Sequence, residues 1–155
     1  MSNVKQLPIQ LQKLGETRFE QLYPQQKQEL ALVRLLALSD FAWRCLTSQP
    51  ELKNWLLCNT EIKNRVIAAP FIDLDLNNID ERDCHKLLRQ YREKYWLKVA
   101  FLDLCCDNPI ADSIKYVSQL ADNLIESANQ WAYTQVAKTN GEPLYQSGAK
   151  VNNRT

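Results

Sequence analysis

Apolar residues fall at helical intervals along most of the chain. From Pro24 to Leu38, Leu30, Val33 and Ala37 recur at steps of three and four, with Leu32, Leu35, Leu36 and Leu38 filling the flanks. That spacing predicts a largely buried helix. Ser39 then offers a hydroxyl to the first-turn amides of a second helix, SDFAWRCLTSQ. Pro50 suits the first position of a third, PELKNWLLCN, because its missing N–H costs nothing there. This helix puts Leu52, Trp55 and Leu56 on one side.

Two longer elements follow. Asp80 opens ERDCHKLLRQYREKYWLKVAFLDLCC, where Leu88, Tyr91, Tyr95, Val99, Leu102 and Cys106 form one stripe at 100° per residue. Beyond Trp96 the opposite side turns apolar as well, through Leu97, Ala100, Phe101 and Leu104. The helix therefore starts amphipathic and ends buried on most sides. After Asn108-Pro109, a stripe of Ile110, Ile114, Val117, Ala121, Leu124, Ile125, Ala128, Trp131 and Ala132 predicts the last helix, stopped by Asn140-Gly141. Helices over 80–106 and 109–139 with so short a link must reverse sharply, so they pack antiparallel. Their stripes should meet, with Tyr95, Val99 and Leu102 opposite Leu124, Ala121 and Val117. Residues 59–79 fit no pattern well, and FIDLDLNNI alternates only briefly. An irregular connection is expected there, since one isolated strand could not satisfy its edges. The fold class is all-α: a helical bundle over 24–140, with a loosely ordered N-terminal arm over 1–23 and a C-terminal tail over 141–155.

Composition narrows the function classes. Nineteen basic residues against eighteen acidic give a net charge of +1, which argues against a general nucleic-acid binder. No apolar run approaches the roughly 20 residues that span a bilayer, and the first residues lack a secretory pattern. Five cysteines without CxxC spacing suit free thiols in a cytoplasmic protein. Three glycines leave no room for a phosphate-cradling loop.

Candidate chemistry is sparse. Cys84-His85 could suggest a metal or a nucleophile, but adjacent helical side chains diverge by about 100° and do not chelate one ion. Cys105-Cys106 reads as two core thiols. The cations Lys86, Arg89, Arg92, Lys94 and Lys98 alternate with Tyr91, Tyr95 and Trp96, a pattern that superficially suits nucleic acid. The angles separate them, so a solvated face, or one pairing with acidic groups of a neighbouring domain, is expected. Asp40 to Cys58 weakly suggests helix-turn-helix, yet its second helix spends its side chains on packing. Asp73 and Asp75 resemble paired magnesium-binding aspartates without a visible scaffold. Asp112, Asp122 and Glu126 read as solvent-facing. Hence no catalytic, cofactor-binding or metal residue is assigned.

Three stretches together are similar to the bacterial glutamine synthetase adenylyltransferases. LSDFAWRCLTSQPEL resembles that family's serine-aspartate-phenylalanine helix and the proline-glutamate helix after it. Leu88, Arg89, Tyr91 and Arg92, then Val99, Ala100, Asp103 and Leu104, fill the family's leucine-arginine-x-aromatic-arginine pattern and the apolar run that follows. LADNLIESANQWAYTQVAKTNGEP resembles its alanine-aspartate-x-leucine-isoleucine helix and glycine-x-proline turn. The family's helix usually carries three arginines where this chain has Arg92, Glu93 and Lys94.

The resemblance implies an enzyme that attaches AMP to glutamine synthetase in one half and removes it in the other. ATP and Mg²⁺ are implied cofactors of the full-length family, and glutamine synthetase and a nitrogen-signalling regulatory protein its implied partners. The family's phosphate-seating glycine-lysine-leucine-glycine-glycine motif and its serine-aspartate-x-aspartate segment have no match after Pro143. The expectation is an N-terminal helical fragment, truncated before the nucleotidyltransferase domain and inactive alone. The alternative is a freestanding all-helical protein-interaction module without enzymatic activity.

Overall fold

The computed structural model describes residues 6–58, 76 and 78–141, and every regular element among them is helical. In chain order these are α1 (Ile9–Leu22), α2 (Leu30–Leu38), α3 (Asp40–Ser48), α4 (Leu52–Cys58), α5 (Glu81–Cys105) and α6 (Ile110–Asn140). The all-α bundle with two long C-terminal helices is the one the apolar spacing predicts. Most of the connection over 59–79 and all but the first residue of the 141–155 tail lie outside the described residues.

Local capping sets several boundaries. The Ser39 hydroxyl accepts from the Ala42 amide at 3.1 Å, and the Asp80 carboxylate accepts from the Asp83 amide at 2.8 Å. Each satisfies a first-turn N–H that has no intrahelical partner. Gly141, at φ 80°, closes α6 in a conformation that a side chain would strain, and its N–H reaches the Ala137 carbonyl at 2.9 Å.

Helix α2 starts at Leu30, six residues after the expected Pro24. Gln25 adopts a left-handed φ of 62°, which breaks the helical run, and Leu30 is 77 % exposed. The buried face of α2 carries Leu32, Val33, Leu35, Leu36 and Ala37.

Within the arm expected to be loosely ordered, residues 9–22 instead form α1, which packs closely on α2. Its polar sequence conceals this because only Gly15 and Phe19 are buried in the helix. Phe19 is fully buried and meets Tyr23 edge-on, with ring centroids 5.3 Å apart. Arg18 adds a tie: it donates to the Leu36 carbonyl at 2.8 Å and to the Asp40 carboxylate at 2.6 Å, and sits over the Trp43 ring. The bond to Leu36 satisfies a carbonyl in the last turn of α2. The ion pair to exposed Asp40 contributes little.

Phe19, Leu32, Leu35, Leu36, Leu46, Leu56, Leu97 and Leu102 belong to one core shared by α1 to α5. The C-terminal end of α5 is fixed over α2, where the Arg34 Nε donates to the Leu104 carbonyl at 2.5 Å and the Cys105 thiol to the Ala31 carbonyl at 3.2 Å.

Helices α5 and α6 run antiparallel. Ser113 near the start of α6 donates to Asp103 near the end of α5 at 2.5 Å. At the opposite end, the Trp131 indole reaches the Ile79 carbonyl just before α5. Asp107, in a left-handed conformation at φ 49°, turns the chain between them.

The expected meeting of stripes needs correction. The buried residues of α6 are Ser113, Tyr116 and Leu120, while Ala121 is exposed and Val117 and Leu124 are half-buried. The contact face is rotated by about one residue from the predicted stripe. Tyr116 lies at the centre of the observed face, 1 % exposed, with its ring tilted 36° to that of Tyr95 and the centroids 6.3 Å apart.

Burial also fixes how the core responds to alkali. It pushes the Tyr23 hydroxyl up to about 12, Cys45 to about 11 and Cys105 to about 12. Groups raised in the folded state contribute stability that is complete below their unfolded values and is lost as pH rises through the folded ones. The melting temperature by circular dichroism is therefore expected to hold up to pH 9 and to fall progressively between pH 9 and 12. Cys105→Ala should make that fall shallower.

Candidate functional site

The structure divides the basic run of α5 into two environments. Lys94 and Lys98 turn toward an aromatic cluster of Trp55, Tyr91, Tyr95 and Tyr116. The Lys94 ammonium lies 4.7 Å from the Trp55 centroid, and burial lowers its pKa below the usual lysine value. Lys98 is only 2 % exposed, and its ammonium lies 5.6 Å from the Tyr116 centroid. Burial and ammonium groups over aromatic rings make these cations structural. Lys98 therefore departs from the solvated face expected for it.

Arg82, His85, Arg89 and Arg92 form the other environment. At steps of three and four they line one exposed edge of α5. Trp96, one turn further on, is 48 % exposed. It meets Phe41 of α3 edge-on at 6.3 Å.

Between α3 and α5, with Val117 of α6 at one side, lies a cleft of about 870 Å³. Phe41, Trp96, Val99 and Ala100 give it an apolar lining, Arg44 and Arg92 supply cations, and Glu93 and Asp103 supply acids. Cys45 also lines it. Burial, and next the nearby Glu93 charge, push its thiol to about 11, so it is protonated at neutral pH and is a poor nucleophile. The arrangement suits holding a ligand: guanidinium forks grip carboxylates, and exposed rings offer area at small entropic cost.

The other sequence candidates stay apart. Cys84 is buried and His85 exposed, as their divergence on a helix requires. The Cys105 thiol faces α2, where it donates to the Ala31 carbonyl. In the helix-turn-helix-like segment, Leu52 and Leu56 are buried and Trp55 packs on Tyr95, so that helix spends its face on the core. Asp112, Asp122 and Glu126 are exposed along α6. Asp73 and Asp75 lie outside the described residues.

Among the described residues, no three His, Cys, Asp or Glu side chains gather as metal ligands. Their scattered carboxylates do not fit a magnesium–nucleotide site. No described helix is long and apolar enough to cross a membrane.

Sequence reasoning missed the cleft. Its one available signal was Trp96, a large ring lying off the core stripe of its helix.

The family described as glutamate-ammonia ligase adenylyltransferase matches residues 30–153. Similar proteins include bifunctional glutamine synthetase adenylyltransferase/adenylyl-removing enzymes. That of Shewanella loihica is 31 % identical over 134 residues, which are 83 % of this chain and 14 % of the relative. That of Shewanella woodyi is 30 % identical over 144 residues, covering 84 % and 15 %. That of Psychromonas ingrahamii is 29 % identical over 127 residues, covering 79 % and 13 %. The chain thus spans about one seventh of the length of these curated relatives. No solved structure matches it.

Proposed function

The chain belongs to the glutamate-ammonia ligase adenylyltransferase family, and from that premise we propose that it serves the adenylylation and deadenylylation of glutamine synthetase as a helical docking segment. The observation that carries this reading is the α3–α5 cleft, which the paired Phe41 and Trp96 rings line together with Arg44 and Arg92. Such a surface suits a protein segment that presents a carboxylate beside an apolar side chain. Under this proposal that segment belongs to glutamine synthetase. ATP, Mg²⁺ and a nitrogen-signalling regulatory protein belong to the reaction as a whole, and the compartment is the cytoplasm.

Bond-making lies elsewhere in this reading. Transfer of AMP requires carboxylates fixed around a metal ion and amides positioned on the phosphates. The purified 155-residue chain, incubated with labelled ATP, Mg²⁺ and glutamine synthetase, is expected to transfer no AMP. With adenylylated synthetase and phosphate it should release none. Turnover above a buffer control in either assay, lost on Asp73→Asn with Asp75→Asn, would overturn the assignment. The docking half is tested by calorimetric titration into glutamine synthetase. Trp96→Ala and Arg92→Glu should each weaken binding at least tenfold, and binding that both variants leave intact would sink it.

A further inference from the structure

The rotation of α6 leaves a second apolar stripe facing outward. Ile110, Ile114, Ile125 and Val136 are 77 %, 62 %, 60 % and 58 % exposed, and Ala121 and Ala132 are exposed on the same line. At 100° per residue all six fall within a band of about 80°, which contains no charged residue. We propose that this stripe is an isologous interface through which two copies of the chain associate, with their α6 helices antiparallel.

Three observations select a second copy. The first is the symmetry of the stripe about Asn123. Turned end for end on that point, Ile110 falls opposite Val136, Ile114 opposite Ala132, and Ala121 opposite Ile125. Ser118 falls opposite Ala128. A two-fold axis requires this reciprocity, in which each position meets its counterpart on the other copy and the reverse.

The second is volume. Two of these pairs set an isoleucine against an alanine, and another joins two small residues, so no pair sets two isoleucines together. Large against small at facing positions lets two helices approach closely along their length. The third is area. Two such stripes face to face would remove on the order of 1,000 Å² from water, about the lower bound of a specific interface. This predicts a reversible dimer of modest affinity.

The border charges agree with that affinity. Lys115 lies about 7 Å along the axis from Glu126 of the other copy, within reach of its carboxylate. Asp122, nearer the axis, faces its own counterpart and opposes tight association.

Sedimentation equilibrium of the full chain tests the proposal. A mass near twice 18.0 kDa is expected at roughly 100 μM, falling toward 18.0 kDa on dilution. Ile125→Glu should be monomeric throughout with an unchanged melting temperature, because that side chain is exposed in the monomer. Ile114→Ala should weaken association about tenfold, and adding Ala132→Ile should restore it, since the two positions face each other across the axis. A monomer at every concentration would overturn the proposal and leave the remaining chain of longer relatives as the cover for this face. A dimer that Ile125→Glu fails to dissociate would overturn it too, as would a size swap that restores nothing.

Discussion

Gly15→Ala is expected to destabilise the chain by about 1–3 kcal/mol or more, although alanine is the better helix former. Helix propensity alone favours the substitution by about 1 kcal/mol, so the sign of the result is diagnostic. Gly15 lies where α1 crosses α2. A methyl group there would overlap the Val33 carbonyl oxygen and approach the Ala37 Cβ to 3.0 Å. A flexible side chain could move aside, but a carbonyl within a helix cannot. The whole of α1 would have to lift, and its lifting would expose Phe19 and loosen the Arg18 bonds to Leu36 and Asp40. Urea denaturation should show a lower midpoint with an unchanged slope. Thr17→Ala, at an exposed position two residues away, should stay within about 0.5 kcal/mol. A Gly15→Ala variant as stable as the parent would mean that α1 does not pack on α2 at this distance.

Leu102→Ala should cost about 2–5 kcal/mol. Leu102 is 1 % exposed and lies in the core shared by α1 to α5. Its neighbourhood is held by the Arg34 and Cys105 bonds from α5 to α2, so the site cannot collapse easily around the lost atoms. That places the expected loss toward the upper end of the range. Ile114→Ala makes the informative comparison, since both residues belong to stripes that the sequence assigns to the interior. Ile114 is 62 % exposed, and at low protein concentration its truncation should change stability by less than about 1 kcal/mol. Equal losses at the two positions would restore the stripe pairing predicted from the sequence.

The contrast between Leu102 and Ile114 also marks how far the sequence could be read. Leu102 sits where apolar residues surround the helix on most sides, so any rotation of α5 buries it. Ile114 sits on a helix with apolar residues in two bands, separated by about 100° and differing little in strength. Periodicity identifies such a helix without choosing the band. The candidate site was less legible still. Phe41, Arg44, Arg92 and Trp96 come from two helices about 50 residues apart in the chain, and no local spacing links them. Lys94 and Lys98 read as surface cations because lysine counts as polar in any pattern, although their ammonium groups lie over aromatic rings.

The sequence by itself determined the helical class, the cap at Ser39, the start of α5 at Asp80, the stop at Gly141 and the reversal between α5 and α6. Each follows from interactions within a few residues, where backbone geometry leaves few alternatives. The tertiary structure alone decided that α1 joins the core, which band of α6 faces α5, and that an aromatic cleft opens beside Arg92. Those outcomes depend on where distant surfaces meet: one glycine permits α1 to approach, and Ser113, Tyr116 and Leu120 are the residues that α6 buries.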